Sequence, residues 1–255
     1  MVKHIDLNSD LGEAFGPWSM GDDDTMLSLV TSANLACGGH AGDPETMFTT
    51  LQQAKANGVI IGAHPGYDDK LGFGRRVIPM APDAIARMVA AQIGALQGVA
   101  ALAKCDVRYV KPHGALANLA ADDPDVAKAI VGAVRAFTPG LAILAISGTA
   151  LELAARAEGH PVFSEIFADR GYLSNGRLVP RNRPDAMIHD PDVAATRLID
   201  FLSTGRMPVV DGEAIALKAD SVCIHGDSPG AVAMARVIQK RLHDAGILIR
   251  SFLSA

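Results

Sequence analysis

The chain has 255 residues, 49% apolar and 20% charged, enough for one large α/β core or two small ones and too apolar for a disordered segment. A net charge of −5 spread along the chain and an aromatic content of 5% leave neither a basic stripe nor a base-stacking surface, which argues against nucleic acid as a partner. Cys37, Cys105 and Cys223 are odd in number and form no CxxC pair, no apolar signal core follows the first residues, and no apolar run reads as long enough to span a bilayer. A reducing, cytoplasmic location is expected.

In chain order, His4 to Leu7 read as a strand that closes on Asn8-Ser9-Asp10-Leu11-Gly12-Glu13. Asp22, Asp23 and Asp24 read as the cap of a helix from Thr25 to Val30. A second strand, Ser32 to Ala36, runs into Cys37-Gly38-Gly39-His40-Ala41-Gly42-Asp43, and Asp43-Pro44-Glu45 opens a helix that stops at Gly58. Val59 to Ala63 form a third strand ending on His64, before a loop with Arg75 and Arg76. Pro82 to about Lys104 carry apolar residues at helical spacing.

Val107 to Val110 form a fourth strand that ends on Lys111-Pro112-His113-Gly114, and Asp122-Asp123-Pro124 starts another helix. The fifth strand, Leu141 to Ile146, ends on Ser147, which lacks a G-x-S-x-G elbow, so a serine hydrolase is disfavoured. A helix over about Ala150 to Ala157 leads to the sixth strand, Pro161 to Phe167, which holds Glu165 and closes on Asp169 and Arg170. Residues 172–188, with Asn175-Gly176 and three arginines, read as a hairpin or lid-like excursion. A helix from Asp190-Pro191, a seventh strand from Ser221 to Ile224 ending on His225-Gly226-Asp227, a helix opened by Ser228-Pro229, and an apolar strand-like segment from Ile247 to Leu253 complete the chain.

Strand, polar loop and helix alternate throughout, which predicts a parallel sheet closed into a seven-stranded (β/α) TIM-like barrel, read as a single domain over residues 1–255. In a barrel the carboxyl ends of the strands converge on one face. The ionisable residues at those ends are therefore the candidate site: Asp10 and Glu13, His40, His64, Lys111 and His113, Glu165, Asp169 and Arg170, and His225 and Asp227, with Asn8 and Arg75 beside them. His4, His160, His189 and His243 lie elsewhere and read as structural. Asp10 with His40, His64 and His113 suits a divalent metal that activates water, and the same groups suit metal-free acid–base work. Lys111, Arg75, Arg76 and Arg170 suit a carboxylate or phosphate, so hydrolysis of a small anionic substrate is expected. Cys37 reads as a buried core thiol. Neither GxGxxG after the first strand nor GxxxxGK[ST] occurs.

Seven segments together resemble the LamB/YcsF family: Asp6 to Glu13, Asn34 to Pro44, Gly62 to Pro65 with Gly72 to Arg76, Val110 to Leu116, Glu165 to Arg170, and Cys223 to Asp227. Two positions depart from the family pattern, Ala117 in place of a tyrosine and Asp68 in place of a proline. The resemblance implies a barrel of the glycoside hydrolase/deacetylase type. It also implies a hydrolase acting on a cyclic amide. The resemblance further implies the role of an A subunit in a 5-oxoprolinase, which would open 5-oxo-L-proline to L-glutamate at the expense of ATP together with two partners, the B and C subunits. ATP is then handled together with the partners. Within that reading Asp10, Glu13, His64, His113 and Lys111 are catalytic, with Asp10 or Glu13 activating water. Asn8, His40, Arg75, Glu165, Asp169, Arg170, His225 and Asp227 surround the substrate. The rival readings are a stand-alone divalent-metal-dependent deacetylase or amide hydrolase, and a non-catalytic carrier or regulatory subunit.

Overall fold

The computed structural model describes residues 4–137, 140–226 and 230–253. Seven parallel strands close into a barrel in the order β1 (His4–Leu11), β2 (Ser32–Ala36), β3 (Ile60–His64), β4 (Val107–Val110), β5 (Ala142–Ile146), β6 (Val162–Phe167) and Ser221–Cys223, which pairs back onto β1. A short antiparallel pair, β7 (Arg206–Met207) and β8 (Ile215–Ala216), precedes that last barrel strand, here β9.

The first strand runs on to Leu11 instead of stopping at Leu7. Its apolar pattern fails at Asn8 because the barrel interior is polar here. Alternation along β1 turns Asp6, Asn8 and Asp10 inward and Leu7, Ser9 and Leu11 towards the helices. The inward side chains find partners across the lumen. Asn8 Nδ2 donates to Ser221 Oγ at 2.7 Å, and Asn34 Nδ2 donates to Asn8 Oδ1 at 2.7 Å. Tyr109 reaches across to donate to Asn34 Oδ1 at 2.6 Å, and it fits because residue 62 is glycine: a Cβ there would stand 2.3 Å from the Tyr109 ring. The opposite end of the lumen is stoppered by Phe252, whose ring centroid lies 5.1 Å from Tyr109 and 4.7 Å from Phe163. The expected final strand is thus mostly a plug: only β10 (Leu248–Ile249) pairs, with β1, outside the barrel closure.

Asp6 sits near the floor of the lumen, wholly buried, accepting from Thr31 Oγ1 at 2.7 Å, Ser32 Oγ at 2.6 Å and Ser221 Oγ. Burial outweighs these donors and pushes its carboxyl from 3.8 up to about 6. A raised acid stabilises the fold fully below its unfolded value and loses that contribution as pH rises through the folded one. The loss therefore falls between about pH 4 and 6 and amounts to about 3 kcal/mol. Urea unfolding at those two pH values is expected to show a downward slope that Asp6→Asn flattens; identical slopes in both proteins would contradict the assignment.

The helices follow the strands with caps written in the sequence. Asp22 accepts from Thr25 N at 3.1 Å ahead of α1 (Asp23–Leu27), Asp43 from Thr46 N at 2.8 Å ahead of α2 (Pro44–Ala56), and Asp190 from Asp192 N at 2.9 Å ahead of the helix Pro191–Thr204. α3 (Pro82–Ala103) corrects the expectation that no run could span a bilayer. Its 22 residues are long and apolar enough by length and composition. Its buried stripe of Ile85, Val89, Ile93 and Leu96 packs it among the helices of the barrel wall.

A further correction is α4 (Gly114–Asp122), which begins directly after His113 and precedes α5 (Pro124–Phe137). α6 (Ala150–Ala157) and α7 (Pro191–Thr204) fall where expected, and α8 spans Ala231–Asp244. The expected helix start at Ser228-Pro229 lies outside the described residues. Within 172–188 the Asn175-Gly176 turn forms, with Leu173 N donating to Arg177 O at 2.8 Å, but pairing is limited to the isolated bridges Tyr172↔Leu178 and Arg170↔Met187.

Candidate active site

Every candidate residue within the described set is carried to the same end of the barrel by the strand that precedes it. Asp10 lies on β1, and Gly12, at φ +68°, turns the chain so that Glu13 follows it into the site. His40 comes from the loop after β2, His64 ends β3, Lys111 and His113 follow β4, Glu165 lies on β6, Asp169 and Arg170 come after it, and His225 follows β9. Asp227 lies outside the described residues. These side chains bound a cavity of about 610 Å³, walled by Asp10, Glu13, His64, Lys111, His113, Glu165, Arg170 and His225 and rimmed by Arg75, Arg177 and Arg181.

Lys111 joins two of the acids in that wall. Nζ donates to Asp10 Oδ1 at 2.8 Å and lies 2.9 Å from Glu165 Oε1, 3.3 Å from Asn8 Oδ1 and 3.2 Å from Cys223 Sγ. Burial works against a charge on Lys111, but Asp10, Cys223 and Glu165 outweigh it and hold the ammonium well above its ordinary range. The two carboxyls it joins are driven apart. Burial alone would raise Asp10, yet His64 and Lys111 hold it well below the usual carboxylate range. Glu165, wholly buried, is raised by burial despite Lys111, and neither of its oxygens receives a well-aimed hydrogen bond.

A second cluster adjoins the first. His64 Nδ1 lies 2.7 Å from the Lys111 carbonyl and His113 Nε2 lies 2.8 Å from the Phe73 carbonyl. A carbonyl only accepts, so each ring carries its proton on that outer nitrogen. The inner nitrogens, His64 Nε2 and His113 Nδ1, face each other at 3.0 Å. Asp10 Oδ2 is 3.3 Å from the first and Glu13 Oε1 is 3.6 Å from the second. His40 stacks on His113 with centroids 3.6 Å apart and places Nε2 3.1 Å from Glu13 Oε1. Burial, and then the neighbouring histidines, hold His40 and His113 well below the ordinary histidine range. Ligating atoms of Glu13, His40, His64 and His113 all lie within 4.8 Å of one another, whereas Asp10 groups with Cys223 and His225.

Several expected contacts lie behind the wall. Asn8 braces Lys111 from inside the lumen, and His40 backs Glu13 and His113. Burial alone would raise Asp169, but its pairing with His225 Nδ1 at 2.8 Å keeps the carboxyl low. Arg170 lines the cavity but directs Nε to the Ala186 carbonyl at 3.1 Å and Nη2 to the Val179 carbonyl at 2.7 Å, tying the excursion to the barrel; burial lowers it to about 10. Arg76 turns away to Asp69 at 2.9 Å. Cys37 is buried, its thiol pushed up to about 12, which suits a core role. Of the two departures, Ala117 is on the cavity wall, while Asp68 is exposed. Asn34 and Tyr109 went unnoticed in the sequence because they sit inside strands; Asn34 Nδ2 also donates to Asp10 Oδ1 at 2.8 Å.

The profile of the LamB/YcsF family matches residues 5–255. The chain belongs to the LamB/YcsF family. Its relatives of similar length include a protein of Pseudomonas syringae pv. tomato named as an A subunit of 5-oxoprolinase, 49% identical over 251 residues and covering 98% of each chain. The 5-oxoprolinase A subunit of Nitrobacter hamburgensis is 48% identical over 252 residues, 98% of this chain and 99% of that one. Among solved structures, the lactam utilization protein of Thermus thermophilus superposes with a TM-score of 0.91 at 42% identity, over 97% of this LamB/YcsF chain and 99% of that one.

Proposed function

We propose that this chain is the ring-opening component of an ATP-dependent 5-oxoprolinase, a hydrolase that converts 5-oxo-L-proline to L-glutamate. Likeness to full-length relatives of that name supports the substrate. The arrangement that carries the chemistry is Lys111 Nζ held between Asp10 at 2.8 Å and Glu165 at 2.9 Å in the cavity wall. Two carboxyls whose surroundings drive them apart make a base and an acid.

In this reading Asp10, through Oδ2, takes a proton from the water that attacks the ring carbonyl carbon. The C–N bond breaks, and Glu165 delivers its proton to the departing ring nitrogen. Lys111 keeps Asp10 ionised and steadies the negative charge that develops on the oxygen. The arginine rim holds the substrate carboxylate. A five-membered lactam is a stable amide, so ATP first phosphorylates its oxygen, a step assigned to the partner B and C subunits and not to this barrel; C–N cleavage then leaves an acyl phosphate on the glutamate side chain, and its hydrolysis releases glutamate and inorganic phosphate. The enzyme works in the cytoplasm.

The test offers the reconstituted complex 5-oxoproline and, separately, an N-acetylated sugar. Glutamate is expected only from 5-oxoproline and only with ATP. Acetate released from the sugar by this chain alone would overturn the reading in favour of a deacetylase.

A further inference from the structure

We infer that Glu13, His64 and His113 form a binding site for one divalent first-row metal ion, with His40 as the residue that positions Glu13. The argument starts from hydrogen-bond direction. Both outer nitrogens are committed to the Lys111 and Phe73 carbonyls, so two inner lone pairs face each other across 3.0 Å of buried space. Two neutral imidazoles gain no hydrogen bond from each other in that arrangement, whereas a cation, a metal ion or a shared proton, would be held by both, with Asp10 Oδ2 3.3 Å from His64 Nε2. Ring N–H groups pinned by backbone carbonyls are also how histidine ligands are oriented around metals.

The third donor is in place. Glu13 Oε1 lies 3.6 Å from His113 Nδ1, and its 6% exposure leaves it little water. With metal–ligand bonds of about 2.1 Å, separations of 3.0 and 3.6 Å subtend roughly 90° and 120° at the ion. Two histidines and one carboxylate leave coordination positions open, and these residues also line the cavity, so the open side faces the substrate space.

Among the described residues only one nitrogen of His40 has a hydrogen-bond partner. Nε2 meets Glu13 at 3.1 Å, whereas Nδ1 is buried with no hydrogen-bond partner. Its proton therefore belongs on Nε2, donated to Glu13, which makes His40 the residue that aims the carboxylate. Asp10, expected from sequence among the ligands, is held through Oδ1 by Lys111 and Asn34 and groups with Cys223 and His225, while its Oδ2 stands beside the site, 3.3 Å from His64 Nε2. A bound ion would supply Lewis-acid polarisation beside the Asp10–Lys111–Glu165 group.

The test titrates chelator-stripped full-length chain with Zn²⁺ and with Mn²⁺ by calorimetry and counts bound ion by elemental analysis. About one ion per chain is expected. Glu13→Gln and His64→Asn, which largely keep side-chain volume, are expected to abolish stoichiometric binding, and His40→Asn to weaken it about 10–100-fold. Replacing the exposed His243 by Asn is expected to change nothing. Absence of binding in the native chain, or binding undiminished in both Glu13→Gln and His64→Asn, would overturn the site and leave a shared proton as the cation. Because binding is read without turnover, its failure leaves the lactam assignment standing.

Discussion

Asp10→Asn is expected to lower glutamate release by the reconstituted complex about 10²–10⁴-fold, the range by which a positioned acid or base contributes to rate. The substitution keeps the shape of the side chain and its contact with Asn34, which donates to Oδ1 at 2.8 Å. It removes the charge that Lys111 Nζ faces at 2.8 Å and the oxygen assigned to the attacking water. The damage does not stop there. With Asp10 neutral, the Lys111 ammonium is left with Glu165 at 2.9 Å as its nearest carboxyl and draws that group towards ionisation, so the proton donor is lost with the base. The loss should appear in kcat with little change in KM, because neither change touches the arginine rim. Folding is checked by near-ultraviolet circular dichroism and the urea midpoint. Activity within about threefold of wild type, in a folded protein, would remove Asp10 from the reaction.

Lys111→Met is expected to destabilise the fold by about 3–5 kcal/mol, the cost of leaving a buried charge without its partner. Lys111 is 4% exposed, and its removal leaves Asp10 ionised beside Asn8 without the ammonium that faced it at 2.8 Å. Against a usual stability of about 5–15 kcal/mol this is a large share. Urea unfolding at neutral pH measures it. Adding Asp10→Asn to Lys111→Met should restore part of the loss, because the stranded charge goes with it; a double variant no more stable than Lys111→Met alone would show that packing, not charge, sets the cost.

The barrel was legible in the sequence because several strands are short apolar runs that give way within a few residues to a His or Lys and then to a helix start, as at Ala36–Asp43 and Val110–His113. Where the lumen is polar the pattern broke. Asn8 and Asp10 read as loop because a strand facing a hydrogen-bonded interior does not alternate apolar with polar in the usual sense. α4 was missed because it starts straight after His113 with no side-chain cap. At the site, strand-end residues could be gathered by topology, but topology says nothing of side-chain direction. That Arg76 turns to Asp69, that Arg170 fastens the excursion, and that Glu165 shares Lys111 with Asp10 depend on contacts across the barrel between residues far apart in sequence. The same is true of the two histidines facing each other at 3.0 Å.

The most direct test of ring opening by this chain is the amount of glutamate and ADP formed from 5-oxoproline and ATP by the B and C subunits before and after the chain is added. The account predicts no glutamate from the partners alone, and glutamate in step with ADP once the chain is present. Glutamate formed at an unchanged rate without it would contradict the account.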